Sequence, residues 1–419
     1  MKKFLTTLLA ILLLPTTTQA MSIQEAIQTA LQNNPDLQRT EKEIAIAEEY
    51  LKIAKAGKGF SVSLSGGANL SKTEGADDSE GLSANVSGSI PLYSGNKLES
   101  QIKSAELEID SAKYQFAQAQ DDLIYNVATA YVDALENLAT EKVNLETENN
   151  LAEHEKNIAA LYDAGSKAKI DLLRAQVETS NASQDTAKSH AAYEVSLANL
   201  ATLMARSSIS NLTVEEITTS KELGELESYL SLAEENRADL KADELKTEQG
   251  ELDIEIAKAG NRPTLSAEIG AGLNSASRDW HATPNASAGI SASWNIFDGG
   301  ITKAQIAEAE LELERLRLAM QNDINNIQES VITAHKNLKI ALMRLRTTQR
   351  AVELAEEERF IATEKYRAGE GILLDILDAE VSLSTAKKNN VSAIHDVIRY
   401  RFDLAHATGN TLVALENRD

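Results

Sequence analysis

Side chains able to do chemistry are few in this chain and poorly placed for catalysis. The six histidines, His154, His190, His281, His335, His395 and His406, show no metal-ligand spacing. Cysteine is absent, which removes thiolate nucleophiles, Cys/His zinc sites and any disulfide framework. Gly57-Lys58-Gly59 and Gly299-Gly300 fall at helix–strand junctions, where tight turns need glycine, and not in a phosphate-cradling loop. No nucleophile elbow is present. The residues therefore predict no enzyme, no metal and no cofactor. Two acids are more suggestive. Asp375 and Asp378 stand three residues apart and share one helix face. Carboxylates arranged in a ring attract cations and repel anions. Carboxylates also suit the first turn of a helix, where the dipole favours them. The run Glu356–Glu358 reads as a solvated helix face.

The elements that would carry these acids come in two copies. IAIAEEYLKIAKAG, ending at Gly57, returns as ELDIEIAKAG, ending at Gly260. SIPLYSGNKLESQIKSAELEI, from Ser89, returns as SWNIFDGGITKAQIAEAELEL, from Ser293. YDAGSKAKIDLLRAQ, from Tyr162, returns as YRAGEGILLDILDAE, from Tyr366. The offset is 203 residues at the first motif (260 − 57) and 204 at the last (366 − 162). The spacing predicts a first repeat over 21–205, a linker over 206–224, a second repeat over 225–410 and a tail over 411–419. Each repeat reads as a helix, a β-hairpin, a very long helix and a shorter helix.

Composition supports the helices. The chain is 42% hydrophobic but only 4% aromatic, with five prolines in 419 residues. Ala, Leu, Glu, Lys and Gln favour long helices packed through small side chains. Helices are expected over 22–56, 97–164 and 171–205, and again over 225–258, 301–368 and 374–408. Neither Gln101–Ala164 nor Ile301–Ala368 contains Gly or Pro; at about 1.5 Å per residue each would reach roughly 100 Å. A heptad runs through both, with Ile102, Ile109, Phe116, Leu123 and Ala130 in one copy and Ile306, Leu313, Met320, Ile327 and Ala334 in the other. Such a repeat implies a left-handed coiled coil. Gly165 and Gly369 stand where a helix C-terminus wants glycine.

The hairpins, over 60–93 and 263–297, show period-two alternation. Val62, Leu64, Ala68 and Leu70 oppose Ser61, Ser63, Ser65 and Asn69; the other three strands follow the same pattern. Runs of about 10 residues can cross a hydrocarbon core, and small polar residues opposite an apolar face fit a wet lumen. A soluble sheet with one wet face uses the same alternation. Lys2, Lys3, the apolar stretch Phe4–Leu14 and Thr18-Gln19-Ala20 read as a secretory signal peptide over 1–20. No later stretch is apolar enough for a membrane helix, so any insertion must use strands. Four strands cannot close a membrane barrel, whose smallest members have about 8. Two chains would supply 8 and three would supply 12, and pattern alone does not choose. The net charge of −23 argues against nucleic acid as a partner.

Leader, duplicated helix–hairpin–helix unit and paired turn motifs together resemble the TolC family of outer-membrane efflux and secretion channels, over roughly residues 22–410. The most specific pieces are PLYSGNKLESQI with NIFDGGITKAQI, and YDAGSKAKIDLL with YRAGEGILLDIL. The resemblance implies a mixed α/β membrane protein and a homotrimer. Its four strands per chain would form a 12-stranded outer-membrane β-barrel, in contact with outer-membrane lipid and continued by a 12-helix α-barrel tunnel in the periplasm. It implies an exit duct for tripartite efflux or type I secretion, closed at the periplasmic tip and opened by a periplasmic adaptor with an inner-membrane pump or ABC transporter. By alignment of YRAGEGILLDILDAE, Asp375 and Asp378 match the two aspartates that ring the pore aperture. Tyr366 and Asp171 match a latch that holds the tip shut, and Gly165 and Gly369 match tip turns where adaptor hairpins dock. Gly371 stands where some members carry an arginine, which leaves one latch contact without its donor.

Two other classes fit parts of the pattern. One is a structural or adhesive trimeric coiled-coil stalk with a non-conducting barrel. The other is a soluble periplasmic coiled coil whose strands form a scaffold sheet.

Overall fold

The computed structural model describes residues 20–72, 79–209, 211–213, 223–275 and 281–416. All but Ala20 of the expected leader falls outside the described residues, as do the middle of each hairpin loop and much of the 206–224 linker. The first departure from expectation is a broken helix. The segment expected as one helix over 22–56 is two, α1 (Ile23–Asn33) and α2 (Pro35–Ala56). A proline drives the residue before it out of the helical region. Asn34 is accordingly extended, at φ −63° and ψ 122°, and its side-chain amide donates to the Leu203 carbonyl at 2.9 Å. The second repeat breaks at the matching place without a proline. The helix expected over 225–258 is α5 (Leu226–Asn236) and α6 (Ala238–Lys258), with Arg237 between them at φ −64° and ψ 121°. Here the bend is held by Arg237 Nε, which donates to Asp239 Oδ1 at 2.9 Å.

The hairpins are β1 (Ser61–Ser71) with β2 (Ser79–Tyr93), and β3 (Thr264–Ser275) with β4 (Thr283–Ser293). After them run α3 (Lys97–Asp163) and α4 (Lys169–Leu203) in the first repeat, and α7 (Ile301–Arg367) and α8 (Leu373–Ala407) in the second. A short α9 (Val413–Glu416) follows. The long helices α3 and α7 each have 67 residues. On their seams Ala112, Leu123, Leu313, Ile327 and Ala334 are buried, while Ile109, Phe116 and Met320 are half-buried. Among the described residues no helix is long and apolar enough to cross a membrane.

The chain forms two compact units. One comprises residues up to Pro35, Gln120–Tyr229 and Val331–Asp419; the other comprises Asp36–Ala119 and Leu230–Ser330. Among its described residues the first has helices and one isolated bridge, Met21 to Leu212, but no strand. Its core holds Tyr131, Ile158, Leu200, Met204 and Val397, all nearly inaccessible, with Ala128, Ala134 and Ala393 letting helices approach closely. The second contains the sheet, an antiparallel meander in the order β1-β2-β3-β4. Because β2 pairs with β3, the two repeats share one sheet, and β1 and β4 are its edges.

Away from the loop ends, where Glu80 pairs with Leu70 and Ser275 with Leu82, the register keeps one chemistry on each face across all four strands. Ser63 faces Ser87, Ser87 faces Gly270 and Gly270 faces Ser287. On the other side Leu64 faces Val86, Val86 faces Ala271 and Ala271 faces Ala286. Serine pairs bridge the strands: Ser61–Ser89 at 2.9 Å, Ser63–Ser87 at 2.8 Å and Ser266–Ser291 at 2.8 Å between hydroxyl oxygens. The apolar face is bare. Val62, Leu64, Leu70 and Ile290 are 65%, 78%, 75% and 70% exposed. A sheet that folds in water covers its apolar face; this one leaves it open, which weighs against a soluble scaffold.

Candidate functional site

The two turns between long and short helices share one backbone design. At the end of α3, Gly165 N–H donates to Tyr162 O at 2.8 Å and Ser166 N–H to Leu161 O at 2.8 Å. At the end of α7, Gly369 N–H donates to Tyr366 O at 3.1 Å and Glu370 N–H to Lys365 O at 2.9 Å. Both are Schellman closures, which satisfy carbonyls a helix end leaves open. They need a left-handed residue, and Gly165 and Gly369 have φ of 74° and 77°. Nothing lies within 4 Å of where a Cβ would point at either glycine. Backbone conformation, not crowding, therefore selects glycine there. Gly371 differs: a Cβ there would sit 3.0 Å from Tyr366 N and 3.2 Å from Lys365 Cβ.

Around the turns, Leu151 and Ile158 of α3, Ala175 and Ala182 of α4, and Leu373 and Leu377 of α8 form a buried cluster, with Leu172 and Tyr366 packed against it. Tyr366 thus enters as an apolar body. The Lys167 ammonium covers its ring at 4.4 Å from the centroid, so a cation of the first turn stacks on an aromatic of the second. The Tyr366 hydroxyl is buried and has no hydrogen-bond partner among the described residues. The structure therefore does not make the Tyr366–Asp171 bond that the resemblance implies. Asp171 lies in the first turn of α4, where its N–H donates to Ala168 O at 3.1 Å.

Asp375 and Asp378 are both exposed on α8. Asp375 also caps its helix, its Oδ2 accepting from Ile372 N–H at 3.3 Å. Both aspartates line a surface groove with Leu354, Glu357, Glu358, Ile361, Ala362 and Lys365 of α7. Four acids face one lysine there, so the groove is electronegative. Two of these acids belong to the run read from sequence as a solvated face. Glu357 and Glu358 are exposed, as that reading expects, and they also add charge beside the aspartates, which only the pairing of α7 with α8 could reveal.

Glu380 also escapes the sequence reading. It is 2% exposed. Its Oε1 lies 3.3 Å from Arg359 Nη1 and 3.8 Å from His154 Nε2, and its Oε2 accepts from Asn150 Nδ2 at 3.5 Å. Burial alone would push this carboxyl up; His154 and Arg359 outweigh it and hold it below its ordinary value. The available signal was position: Glu380 falls one heptad after Leu373, on a stripe otherwise made of Ile376, Leu377 and Leu383. No group of His, Cys, Asp and Glu able to hold a metal occurs among the described residues.

The comparisons with known proteins agree with this duplicated frame. A family described as outer membrane efflux protein matches residues 26–206 and again 229–410. The two matches are offset by 203 residues at their starts (229 − 26) and 204 at their ends (410 − 206), the offsets of the internal repeat. The chain belongs to the outer membrane efflux protein family. As a member, it is an outer-membrane efflux channel protein of the TolC type, with a periplasmic helical part; channels of this family are not enzymes. The chain is 26% identical over 390 residues to nodulation protein T of Rhizobium leguminosarum bv. trifolii, covering 88% of this chain and 81% of that one. It is 23% identical over 442 residues to outer membrane protein TolC of Escherichia coli K12, covering 100% and 89%. Among solved structures, the outer-membrane channel OprN matches with a TM-score of 0.81 at 20% identity, over 93% of this chain and 90% of that one. The outer membrane protein VceC of Vibrio cholerae matches with a TM-score of 0.80 at 19% identity, over 93% and 96%. Family membership does not favour the adhesive stalk.

Proposed function

We propose that three copies of this efflux protein close their sheets into one 12-stranded barrel (three times four strands) and that the assembly is a gated exit duct. The observation that carries this is the sheet itself. Its apolar face is bare, its polar face is in register, and β1 and β4 are free edges among the described residues. In hydrocarbon each unpaired backbone group costs several kcal/mol, so spanning sheets must close on themselves. Edge-to-edge pairing of β4 with the β1 of another copy would remove both edges and put the serine ladders around a wet lumen.

In the same reading the helical turns are the periplasmic tip. Asp375 and Asp378 would ring a cation-attracting aperture, with Glu357 and Glu358 behind them. Tyr366 and Asp171 would be the latch. The Tyr366 hydroxyl is unpaired in the single chain, a state that costs about 1–3 kcal/mol, and a carboxylate partner in the closed trimer would relieve it. Adaptor hairpins would dock at the turns of Gly165 and Gly369, and an inner-membrane pump or ABC transporter would drive opening, for tripartite efflux or type I secretion. The deciding experiment is single-channel recording of the purified protein in a planar bilayer, beside its mass in detergent. A trimer with small, cation-selective conductance is the expected result. A protein that inserts and never conducts would return the sealed-barrel stalk, and failure to insert would remove the barrel.

A further inference from the structure

We propose that Glu268 gives the barrel its own ion preference, as a ring of fixed negative charge separate from the acids of the helical turns. The inference rests on the trimeric-barrel reading above. Glu268 lies in β3, on the polar face, where it is exposed and pairs in register with Ser89 of β2 and Gly289 of β4. Its neighbours on that face are Ser, Gly, Asn and Thr, with Pro91 of β2 opposite Ser266: Ser61 to Ser71 of β1, Ser83 to Pro91 of β2, Ser266 to Asn274 of β3 and Thr283 to Ser293 of β4 supply no other ionisable side chain to it among the described residues. A serine-rich wall explains solvation by itself. It has no need of a carboxylate.

The carboxylate is held in place. Ser266 and Ser291 hydroxyls donate to Oε1 at 3.3 and 3.2 Å, and those two hydroxyls lie 2.8 Å apart. Oε2 accepts no hydrogen bond among the described residues and is free to face the lumen. The flanking glycines keep this level open, because Gly270 and Gly289 carry no side chain that could cover the acid. Three-fold repetition would place three such carboxylates at one height, and rings of acids favour cations.

Salt decides how strong the effect is. The lumen of a 12-stranded barrel is too wide for contact selection, so Glu268 acts through its field. The Debye length is about 30 Å at 10 mM salt and about 3 Å at 1 M. The preference should therefore be large in dilute salt and vanish in concentrated salt, whereas a narrow acidic aperture keeps its preference in both.

The test is made in a parent carrying Asp375→Asn and Asp378→Asn, so that the turns do not mask the barrel. In that parent, Glu268→Gln should lower the cation-to-anion permeability ratio about twofold at roughly 10 mM KCl and leave it unchanged at about 1 M. A conducting parent whose ratio is the same with and without Glu268→Gln overturns this proposal and leaves the channel standing. A parent that inserts without conducting overturns both. The absence of cysteine provides a second readout. Glu268→Cys should react with a membrane-impermeant thiol reagent in the reconstituted full chain, and Ala267→Cys, on the opposite face, should be protected. The reverse pattern would put Glu268 against lipid and overturn the proposal.

Discussion

The turn after α3 and the turn after α7 have the same backbone and opposite charge. Both close by the same pair of hydrogen bonds around a left-handed glycine. Over Tyr162–Gln176, Lys167, Lys169 and Arg174 against Asp163 and Asp171 give +1 (3 − 2). Over Tyr366–Glu380, Arg367 against Glu370, Asp375, Asp378 and Glu380 gives −3 (1 − 4). Duplication preserved what a tight helical hairpin requires and let the rest diverge. The positive copy supplies Lys167 to cover Tyr366, and the negative copy supplies the acidic groove. The same division appears at the helix breaks, where Pro35 in one copy is replaced by the Arg237–Asp239 pair in the other. Geometry is the inherited part of each repeat, and chemistry is the part each copy owns.

The sharpest way to break this comparison is at the buried acid that only the second copy has. Arg359→Ala leaves Glu380 buried with its main cationic partner gone. It should cost about 2 kcal/mol, below the roughly 3–5 kcal/mol of wholly buried pairs, because Arg359 is itself 38% exposed. Thermal unfolding followed by circular dichroism reads this, and Arg359→Leu with Glu380→Leu should recover most of it. The sign with pH follows from the depressed Glu380 carboxyl. Its contribution is present above the unfolded carboxyl value of about 4.3 and is lost as pH falls through the folded value. Arg359→Ala should therefore flatten the acid side of the stability profile, and an unchanged acid limb would show that Glu380 is not held by Arg359.

The next effect separates the two turns by charge. Asp375→Asn with Asp378→Asn should cut cation preference about tenfold, worth about 1.4 kcal/mol, while Lys167→Gln with Lys169→Gln should leave it alone. Equal responses from both pairs in a reversal-potential measurement would remove the functional difference between the copies. A smaller effect tests their sameness. Gly165→Ala and Gly369→Ala should each cost about 1 kcal/mol, the price of a side chain in the left-handed region, and by nearly equal amounts because neither site is crowded. A far larger loss at one of them would mean that turn is packed against something in the assembly. The last and chemically smallest change is Tyr366→Phe. Removing a buried hydroxyl that has no partner should raise the stability of the helical core by about 1 kcal/mol, the low end of what such a group costs. Single-channel conductance should also rise if Asp171 takes that hydroxyl in the closed trimer, and constant conductance would retire the latch.

Local signals were the legible ones. Alternation of small polar and apolar residues marks all four strands, and glycine after a long uninterrupted stretch marks both turns. What depends on a second element was not legible. Arg237 carries no sign of a helix break until Asp239 is seen to hold it. Glu357 and Glu358 read correctly as solvated, but their place beside Asp375 and Asp378 shows only once α8 lies along α7. The Tyr366 hydroxyl looks paired by its likeness to a family latch, and one chain alone leaves it unpaired. Residue pattern also said nothing of strand order: hairpins can meet through either edge, and only the fold shows β2 against β3.

That last pairing has a consequence for how the chain is made. Ser89 meets Glu268, 179 positions later (268 − 89). The first hairpin is therefore complete long before its neighbour leaves the ribosome, and it waits with a dry face and two open edges while α3 to α6 are still being synthesised. Contacts so distant along the chain form slowly, and exposed strand edges recruit strangers. Keeping this chain unfolded, or escorted, until its second half arrives is then a requirement of its topology and not a convenience of the cell.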